Sequence, residues 1–193
     1  WPDPEGYVDY LRAELGAIVD DDVVPLLLGG EHTVTVASVR AVSPETLVVL
    51  DAHLDLRESY DGERYSHACV SRRALETVDR LVVLGGRSGS EEGWERVETD
   101  DAVTVVPPDG VAQWLEKTDL DDLGRVYLSV DVDAADPAVA PGTGTPLPFG
   151  MDSQTMRDAV ARGAPHAAGF AAGEVPGRGD GQAAARAAAL LRR

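Results

Sequence analysis

The chain has 193 residues and a hydrophobic share of 44%, which is enough to bury the core of one domain. Its 34 acidic and 17 basic residues give a net charge of −17, which argues against a nucleic-acid partner because phosphates would be repelled. The sequence has neither an apolar run long enough to cross a membrane nor a signal peptide at its start, so no membrane partner is expected. Its single cysteine, Cys69, fits a reducing cytoplasm, which is the predicted location.

The excess of acidic residues has two interpretations. Only one basic residue is a lysine, Lys117, and acidic surfaces poor in lysine suit a cytoplasm at molar salt, where screening removes the repulsion. This favours a halophilic protein whose acidic side chains mostly lie in solvent. The alternative is that an acidic surface attracts a cationic substrate.

Strand-like and helix-like segments alternate along the chain. An initial helix is predicted over about 5–19, and apolar runs typical of buried strands follow at 23–30, 46–53, 80–86, 102–106, 125–133 and 166–174. Helices are predicted between these strands, over roughly 32–42, 68–78, 90–98, 108–116 and 152–162. An alanine-rich helix closes the chain, with Asp180 as its expected N-cap. This order predicts one α/β domain over residues 1–193, a three-layer sandwich with a mainly parallel sheet.

Polar residues follow several of the predicted strands, at the carboxyl edge where chemistry gathers in open α/β sheets. They comprise two histidines and five acids: His32, Asp51, His53, Asp55, Asp131, Asp133 and Glu174. Strand alternation is expected to turn Asp131 and Asp133 to the same side, where two bare carboxylates would repel each other. A cation between them would remove that repulsion.

The histidines and aspartates at this edge predict a metal site. Mixed imidazole and carboxylate ligands suit Mn²⁺, Zn²⁺ or Fe²⁺, whereas Mg²⁺ and Ca²⁺ prefer oxygen alone. Six ligands exceed the needs of one ion, so two ions about 3.5–4 Å apart are predicted. The predicted ligands are His32, Asp51, His53, Asp55, Asp131 and Asp133. Taken singly, such a histidine is more often a core residue and such an aspartate a helix N-cap, but their conjunction favours metal.

Four segments resemble the signatures of the ureohydrolase family, which includes arginases and agmatinases. They are "GGEHT" (29–33), "DAHLDL" (51–56), "SHACVSRR" (66–73) and "SVDVDAADPAVAPGTGTP" (129–146). The segment "LGGRSGSEE" (84–92) is similar to one found between those signatures in agmatinases, and the whole is most similar to archaeal and bacterial agmatinases. The resemblance implies an arginase-like fold, and because the chain opens on Trp1, it is expected to lack the N-terminal part with the first strand or strands.

The resemblance also implies how two manganese ions would be held. His32 and Asp55 would bind one ion and His53 and Asp133 the other, and both ions would share two bridging ligands, Asp51 and Asp131.

Three residues have catalytic roles by the same resemblance. Asp55 would orient a hydroxide that bridges the ions, and Glu174 would pair with the substrate guanidinium. His67 would shuttle a proton to the departing amine, with Asp55 as the alternative shuttle. A helix-capping role is the alternative for His67, although Ser66 is the better cap. Asp136 is expected to hold the following loop through an Asx turn rather than to bind metal.

The implied reaction hydrolyses a small cationic guanidino substrate to urea and an amine, with agmatine to putrescine as the first candidate. The alternatives are an arginase, a guanidino-acid or formimino hydrolase, or a truncated chain that binds metal without turnover. Arg57 would disfavour the amine of agmatine unless it turns toward an acid such as Glu58 or Asp61. The resemblance further implies a homo-oligomer, a trimer or hexamer, which we expect to dissociate at low salt because of the net charge.

Overall fold

The computed structural model describes residues 3–21, 23–175, 185 and 188–189. Its strands are β1 (Leu26–Leu28), β2 (Thr46–Leu50), β3 (Arg80–Leu84), β4 (Val103–Val106), β5 (Val126–Asp131) and β6 (Ala167–Gly173). They form one sheet in the order β1-β6-β5-β2-β3-β4, and every neighbouring pair is parallel. The carboxyl ends of these strands therefore meet at one edge of the sheet.

Across the described ranges, six helices accompany the strands, and three of them begin with a side-chain cap. They are α1 (Pro4–Asp20), α2 (Val34–Val42), α3 (Val70–Ala74), α4 (Glu91–Thr99), α5 (Val111–Lys117) and α6 (Ser153–Gly163). The side chains of Asp3, Ser90 and Asp152 accept hydrogen bonds from backbone N–H groups in the first turns of α1, α4 and α6. Of the predicted C-terminal helix, residues 185 and 188–189 are helical, and its expected cap, Asp180, lies outside the described residues.

The sheet is covered on both faces. Alternate residues of β2 point to opposite sides, so Val48 and Leu50 pack with α5 and α6, whereas Leu47 and Val49 pack with α2. A smaller cluster joins α1, α2 and α3 on the second side. The predicted three-layer α/β sandwich is therefore confirmed. Within the described residues, no helix has both the length and the apolar character needed to cross a membrane.

Several elements are shorter than predicted. The strand predicted over 23–30 is reduced to β1, because Pro25 lacks an N–H and Gly29 and Gly30 take φ values of 85° and 87°. The helix predicted over 68–78 begins as a 3₁₀ turn and continues only through α3.

Strand β1 lies at an edge of the sheet formed by the described strands, and it pairs only with β6 there. Its side chains Leu26 and Leu28 are 54% and 62% exposed, and the preceding Val23 and Val24 are exposed as well. An apolar strand thus lies open on this side of the described structure.

Candidate metal centre

The turn after β5 directs two of the predicted ligands. Asp131 ends the strand, and Val132–Ala134 form a 3₁₀ turn in which Asp131 Oδ1 accepts a hydrogen bond from the Asp133 N–H, at 2.9 Å. Both carboxylates face the same centre, but Asp133 reaches it through this turn and not through the strand alternation that the sequence predicted. An aspartate side chain that bonds the backbone two residues on offers an alternative to the sheet ladder, and this turn brings Asp133 toward His53.

The turn after β2 is built in a similar way. Strand β2 ends at Leu50, and Asp51 Oδ1 accepts a hydrogen bond from the His53 N–H, at 2.7 Å. The buried Leu54 points away into the core. Asp55 takes a φ of 51°, in the left-handed region that residues other than glycine rarely adopt. Such conformations cost free energy and concentrate at functional sites.

The first imidazole of the centre belongs to His32, in the loop between β1 and α2. Its Nδ1 lies 2.9 Å from Asp55 Oδ2, 3.2 Å from Asp51 Oδ2 and 3.9 Å from Asp131 Oδ2. The Asp131 carboxylate therefore faces the His32 ring through one oxygen and accepts from the Asp133 N–H through the other. Its predicted bridging role stays a prediction.

The second imidazole belongs to His53. Its Nδ1 lies 2.9 Å from Asp133 Oδ2 and 3.6 Å from Asp51 Oδ1. Asp51 thus presents one oxygen to each imidazole, as a ligand shared by two ions would. Asp133 is fixed further, because its Oδ1 accepts from the Ala52 N–H and its Oδ2 from the Thr145 hydroxyl.

Burial and mutual repulsion shift the pKa values of the carboxylates. Burial, with repulsion from Asp55 and Asp133, raises the pKa of Asp51 to about 8. Burial and the charge of Asp51 also raise the pKa of Asp131 well above its usual range. Burial opposes ionisation of Asp133 too, but the hydrogen bond with His53 lowers its pKa overall.

The imidazoles respond in the opposite direction. Burial lowers the pKa of His32, but the hydrogen bond with Asp55 and the charge of Asp51 outweigh it and raise the value to about 9. Hydrogen bonds with Asp133 and Asp51 raise the pKa of His53 to about 10. Protons therefore occupy positions that a divalent cation would take, since imidazole binds metal only when neutral.

The donor set fits two divalent cations. His32, Asp51 and Asp131 form one group, and Asp51, His53 and Asp133 form another, each with ligand atoms within 4.8 Å of one another. Within the described residues, the buried Asp51 Oδ2 has no hydrogen-bond partner, because the nearby His32 Nδ1 bonds with Asp55. A buried carboxylate oxygen left in this state is costly unless a cation binds it.

The other two predicted catalytic residues line a cleft of about 390 Å³ beside this centre. Glu174 follows β6 with a φ of 54°, and its Oε1 accepts a hydrogen bond from the His32 N–H, at 2.8 Å. His67 is exposed, and its ring packs edge-on against Tyr60 with 5.5 Å between centroids. Ser66 precedes the 3₁₀ turn that His67 begins but makes no capping hydrogen bond with its side chain. The structure thus joins Glu174 to the centre and places His67 at the wall of the cleft.

Arg57 points neither to Glu58 nor to Asp61, the acids named as its possible partners. Its guanidinium lies over the ring of Tyr60, 5.7 Å from the centroid, and it lines the same cleft. Glu58 instead pairs with Arg72 and other arginines.

Sequence reasoning assigned no role to three residues at the site. Thr145 bonds a predicted ligand, and Tyr60 contacts both Arg57 and His67. Arg87 donates to backbone carbonyl groups of the turn that carries Asp133. Thr145 and Arg87 lie in the segments 129–146 and 84–92 that resemble the family, so their place in those segments indicated some role. Only the folded structure shows which groups they contact. Asp136 accepts from the N–H groups of Ala138 and Gly150 and forms the expected Asx turn.

Comparison with known proteins identifies the family. A model of the arginase family matches residues 2–192. Agmatinase of Pyrococcus horikoshii is 38% identical over 143 residues, which cover 69% of this chain and 47% of that protein. N(1)-aminopropylagmatine ureohydrolase of Thermococcus kodakarensis is 36% identical over 170 residues, covering 82% and 56%. The crystal structure of agmatine ureohydrolase of Thermoplasma volcanium matches with a TM-score of 0.88 and 37% identity, covering 100% of this chain and 68% of that one.

These matches establish the family and show how much of a relative's length this chain covers. The chain spans about half the length of the curated relatives it matches. The family match nevertheless covers the whole of the described sheet and every residue of the candidate metal centre. The chain belongs to the arginase family.

Proposed function

We propose that the protein hydrolyses a guanidino compound to urea and an amine at a centre of two Mn²⁺ ions, with agmatine as the first candidate substrate. The observation that carries this proposal is the convergence of two imidazoles and four carboxylates beside a cleft that Glu174 lines. A structural cluster would satisfy its own polar atoms, whereas Asp51 Oδ2 is left for a cation.

The chemistry that two bound Mn²⁺ ions would supply is the activation of water. Two bound divalent cations lower the pKa of water so that hydroxide is available near neutral pH. His32 and Asp55 would hold one ion, His53 and Asp133 the other, and Asp51 and Asp131 both. The Asp55 carboxylate would also accept a hydrogen bond from the attacking water and direct it.

Residues of the cleft would handle the substrate. The Glu174 carboxylate would pair with the guanidinium, while its hydrogen bond to the His32 N–H keeps it oriented. Addition of water makes the guanidinium carbon tetrahedral, and the departing nitrogen must gain a proton before its C–N bond breaks. His67 would donate that proton from the cleft wall and regain one from the attacking water, while the second proton of that water passes to the released amine, so that the products would be urea and an alkylammonium ion.

The choice of agmatine is supported by the relatives and by charge. Two similar proteins have names that refer to agmatine or a derivative of it. Glu31 and Glu174 both line the cleft, and negative charge there favours a substrate with two cationic ends. Arg57 supports a second candidate, a guanidino acid, because its guanidinium faces the same cleft and would attract a carboxylate tail.

A urea assay on the chain loaded with Mn²⁺ tests the proposal. Agmatine, arginine and 4-guanidinobutanoate are compared, and the highest kcat/KM is expected for agmatine. Asp51→Asn should abolish urea release, and Asp158→Asn, which changes an exposed acid on α6, should leave it intact. A chain that binds Mn²⁺ yet releases urea from none of the three would instead be the non-catalytic alternative.

Other expectations from the sequence stay predictions. They are the trimer or hexamer, its dissociation at low salt, the cytoplasmic location and the adaptation to salt. Sedimentation across a range of salt concentrations tests the first two, and a monomer at every salt concentration would contradict both.

A further inference from the structure

Arg87 connects two turns of the metal centre, one through its backbone and one through its side chain. It lies in the loop after β3, and its N–H donates to the carbonyl of Ala52, at 2.9 Å. Ala52 stands between Asp51 and His53. The backbone of Arg87 therefore holds the turn after β2, which carries three of the proposed ligands.

The guanidinium of Arg87 binds a different set of backbone groups. Its Nη2 donates to the carbonyl oxygens of Asp133 and Leu147, at 3.0 and 2.9 Å. Its remaining contacts, from Nε and both Nη atoms, are also to carbonyl oxygens, those of Gly85, Ala134, Ala135 and Pro148. The side chain thus joins the turn after β5 to the far end of the loop that follows it.

We propose that Arg87 is a positioning residue of the metal centre, which holds the Asp133–Ala135 turn so that the Asp133 carboxylate faces His53 and Asp51. Different groups hold the carboxylate and the carbonyl of Asp133. The Ala52 N–H and the Thr145 hydroxyl donate to the carboxylate, and the Arg87 guanidinium donates to the carbonyl. Releasing the carbonyl lets the turn rotate and moves the carboxylate away from His53.

Arginine is suited to this position by its geometry. A guanidinium offers five N–H donors in one plane, whereas the ammonium of lysine offers three from a single atom. Gly85, with a φ of 98°, brings its carbonyl within 3.0 Å of Nη1, and a side chain there would press on Met151. The loop is therefore shaped around a planar group with several donors.

Mn²⁺ binding tests the inference, which rests on the proposed function because it takes the carboxylate cluster to be a metal centre. Arg87→Met should raise the Kd for Mn²⁺ by about 10- to 100-fold, the usual effect of losing a group that orients a ligand. Arg87→Lys should give a smaller rise, and kcat at subsaturating Mn²⁺ should recover when the ion is raised, with KM unchanged. Arg80→Met is the control, because Arg80 lies at the other end of β3 and donates to the Asp122 carbonyl.

Hydrogen exchange of the metal-free protein separates this inference from the proposed function, because it needs neither metal nor turnover. The amides of Asp136, Gly150 and Met151 bond within the loop, and they should exchange faster in Arg87→Met but not in Arg80→Met. If Arg87→Met does not fold, Arg87→Lys decides by the same measurements. Wild-type Mn²⁺ affinity and wild-type exchange in a folded Arg87 variant would overturn the inference.

Discussion

The two ends of the central strands differ in how their polar groups are satisfied. At the amino ends, the Thr46 hydroxyl donates to the Leu123 carbonyl at 2.6 Å, and the Glu45 carbonyl accepts from the N–H groups of Asp79 and Arg80. At the carboxyl ends, the buried Asp51 and Asp131 carry raised pKa values, and Asp51 Oδ2 lacks a hydrogen bond within the described residues.

This difference separates a structural end of the sheet from a functional one. Neutral donors and acceptors that pair with each other add stability, and they leave no unpaired polar group that a ligand could bind. Buried carboxylates close together reduce the stability of the metal-free protein, and that free energy is recovered when a cation binds. The predictions below perturb one end of the strands or the pH, and they measure metal binding, turnover or the free energy of unfolding.

The largest effect is expected from Asp51→Asn, which removes the carboxylate shared by the two imidazoles. At a Mn²⁺ concentration of 100 times Kd, each bound ion should add about 2.7 kcal/mol to the free energy of unfolding of the wild-type protein, and the variant should gain none. Without metal at pH 8, the variant should be the more stable protein, because the raised pKa of Asp51 makes its ionisation unfavourable in the folded state. Denaturant titrations measure both, and a variant that Mn²⁺ still stabilises would contradict the shared role.

Replacement of His67 by alanine should affect turnover alone. Loss of a general acid typically lowers kcat by about 10²- to 10⁴-fold, and both Mn²⁺ ions should remain because the His67 ring contacts Tyr60 rather than the cluster. Elemental analysis and the urea assay are made on the same preparation. Loss of metal together with activity would make His67 a ligand or a structural residue.

Glu174→Gln should have an intermediate effect. The amide oxygen can still accept from the His32 N–H, so metal content should not change. The charge that pairs with the guanidinium is lost, and such a bond is worth about 1.5–3 kcal/mol, roughly a 10- to 150-fold fall in kcat/KM. Activity close to wild type would show that the guanidinium binds elsewhere in the cleft.

Metal affinity should rise with pH. In the metal-free protein the pKa values of His32, His53 and Asp51 are raised to about 9, 10 and 8, so all three side chains carry protons at pH 7 and must release them when Mn²⁺ binds. For each proton released, Kd falls about tenfold per pH unit until the pH passes the pKa. Calorimetry in buffers of different ionisation enthalpy counts the protons, and a count of zero would disprove the protonated starting state.

The smallest effect is expected at the amino ends. Thr46→Val removes the hydroxyl that binds the Leu123 carbonyl, and it should lower the free energy of unfolding by about 1–2 kcal/mol. The Kd for Mn²⁺ should not change, because Thr46 lies at the opposite end of β2 from the cluster. A change in Kd would mean that the two ends are coupled through the strand.

Periodicity and motifs predicted the parts of the fold that depend on local chemistry. The buried runs of β2, β3 and β5 and the helices around them were predictable because strands covered on both faces read as continuous apolar segments. The convergence of the predicted ligands could be foreseen because parallel strands place their carboxyl ends together.

The finer geometry of the site was not predictable, because it depends on groups distant in sequence. The turn at Asp133 replaces a strand end through a side chain–backbone bond, and the left-handed conformations of Asp55 and Glu174 are imposed by surrounding structure. The partners of Arg87 lie up to 61 positions along the chain. The spacing of residues within one motif cannot predict contacts between residues so far apart in the sequence.

The place of β1 beside β6 determines when the site can be completed during synthesis. Among the described strands, β1 pairs only with the last to be made, so the loop that carries His32 has no strand partner until Ala167–Gly173 has left the ribosome. Until then β1 is an unpaired strand on the growing chain, and its Leu26 and Leu28, which stay more than half exposed even beside β6, make it prone to aggregate. Mn²⁺ added to stalled chains of increasing length should therefore bind tightly only after β6 is present.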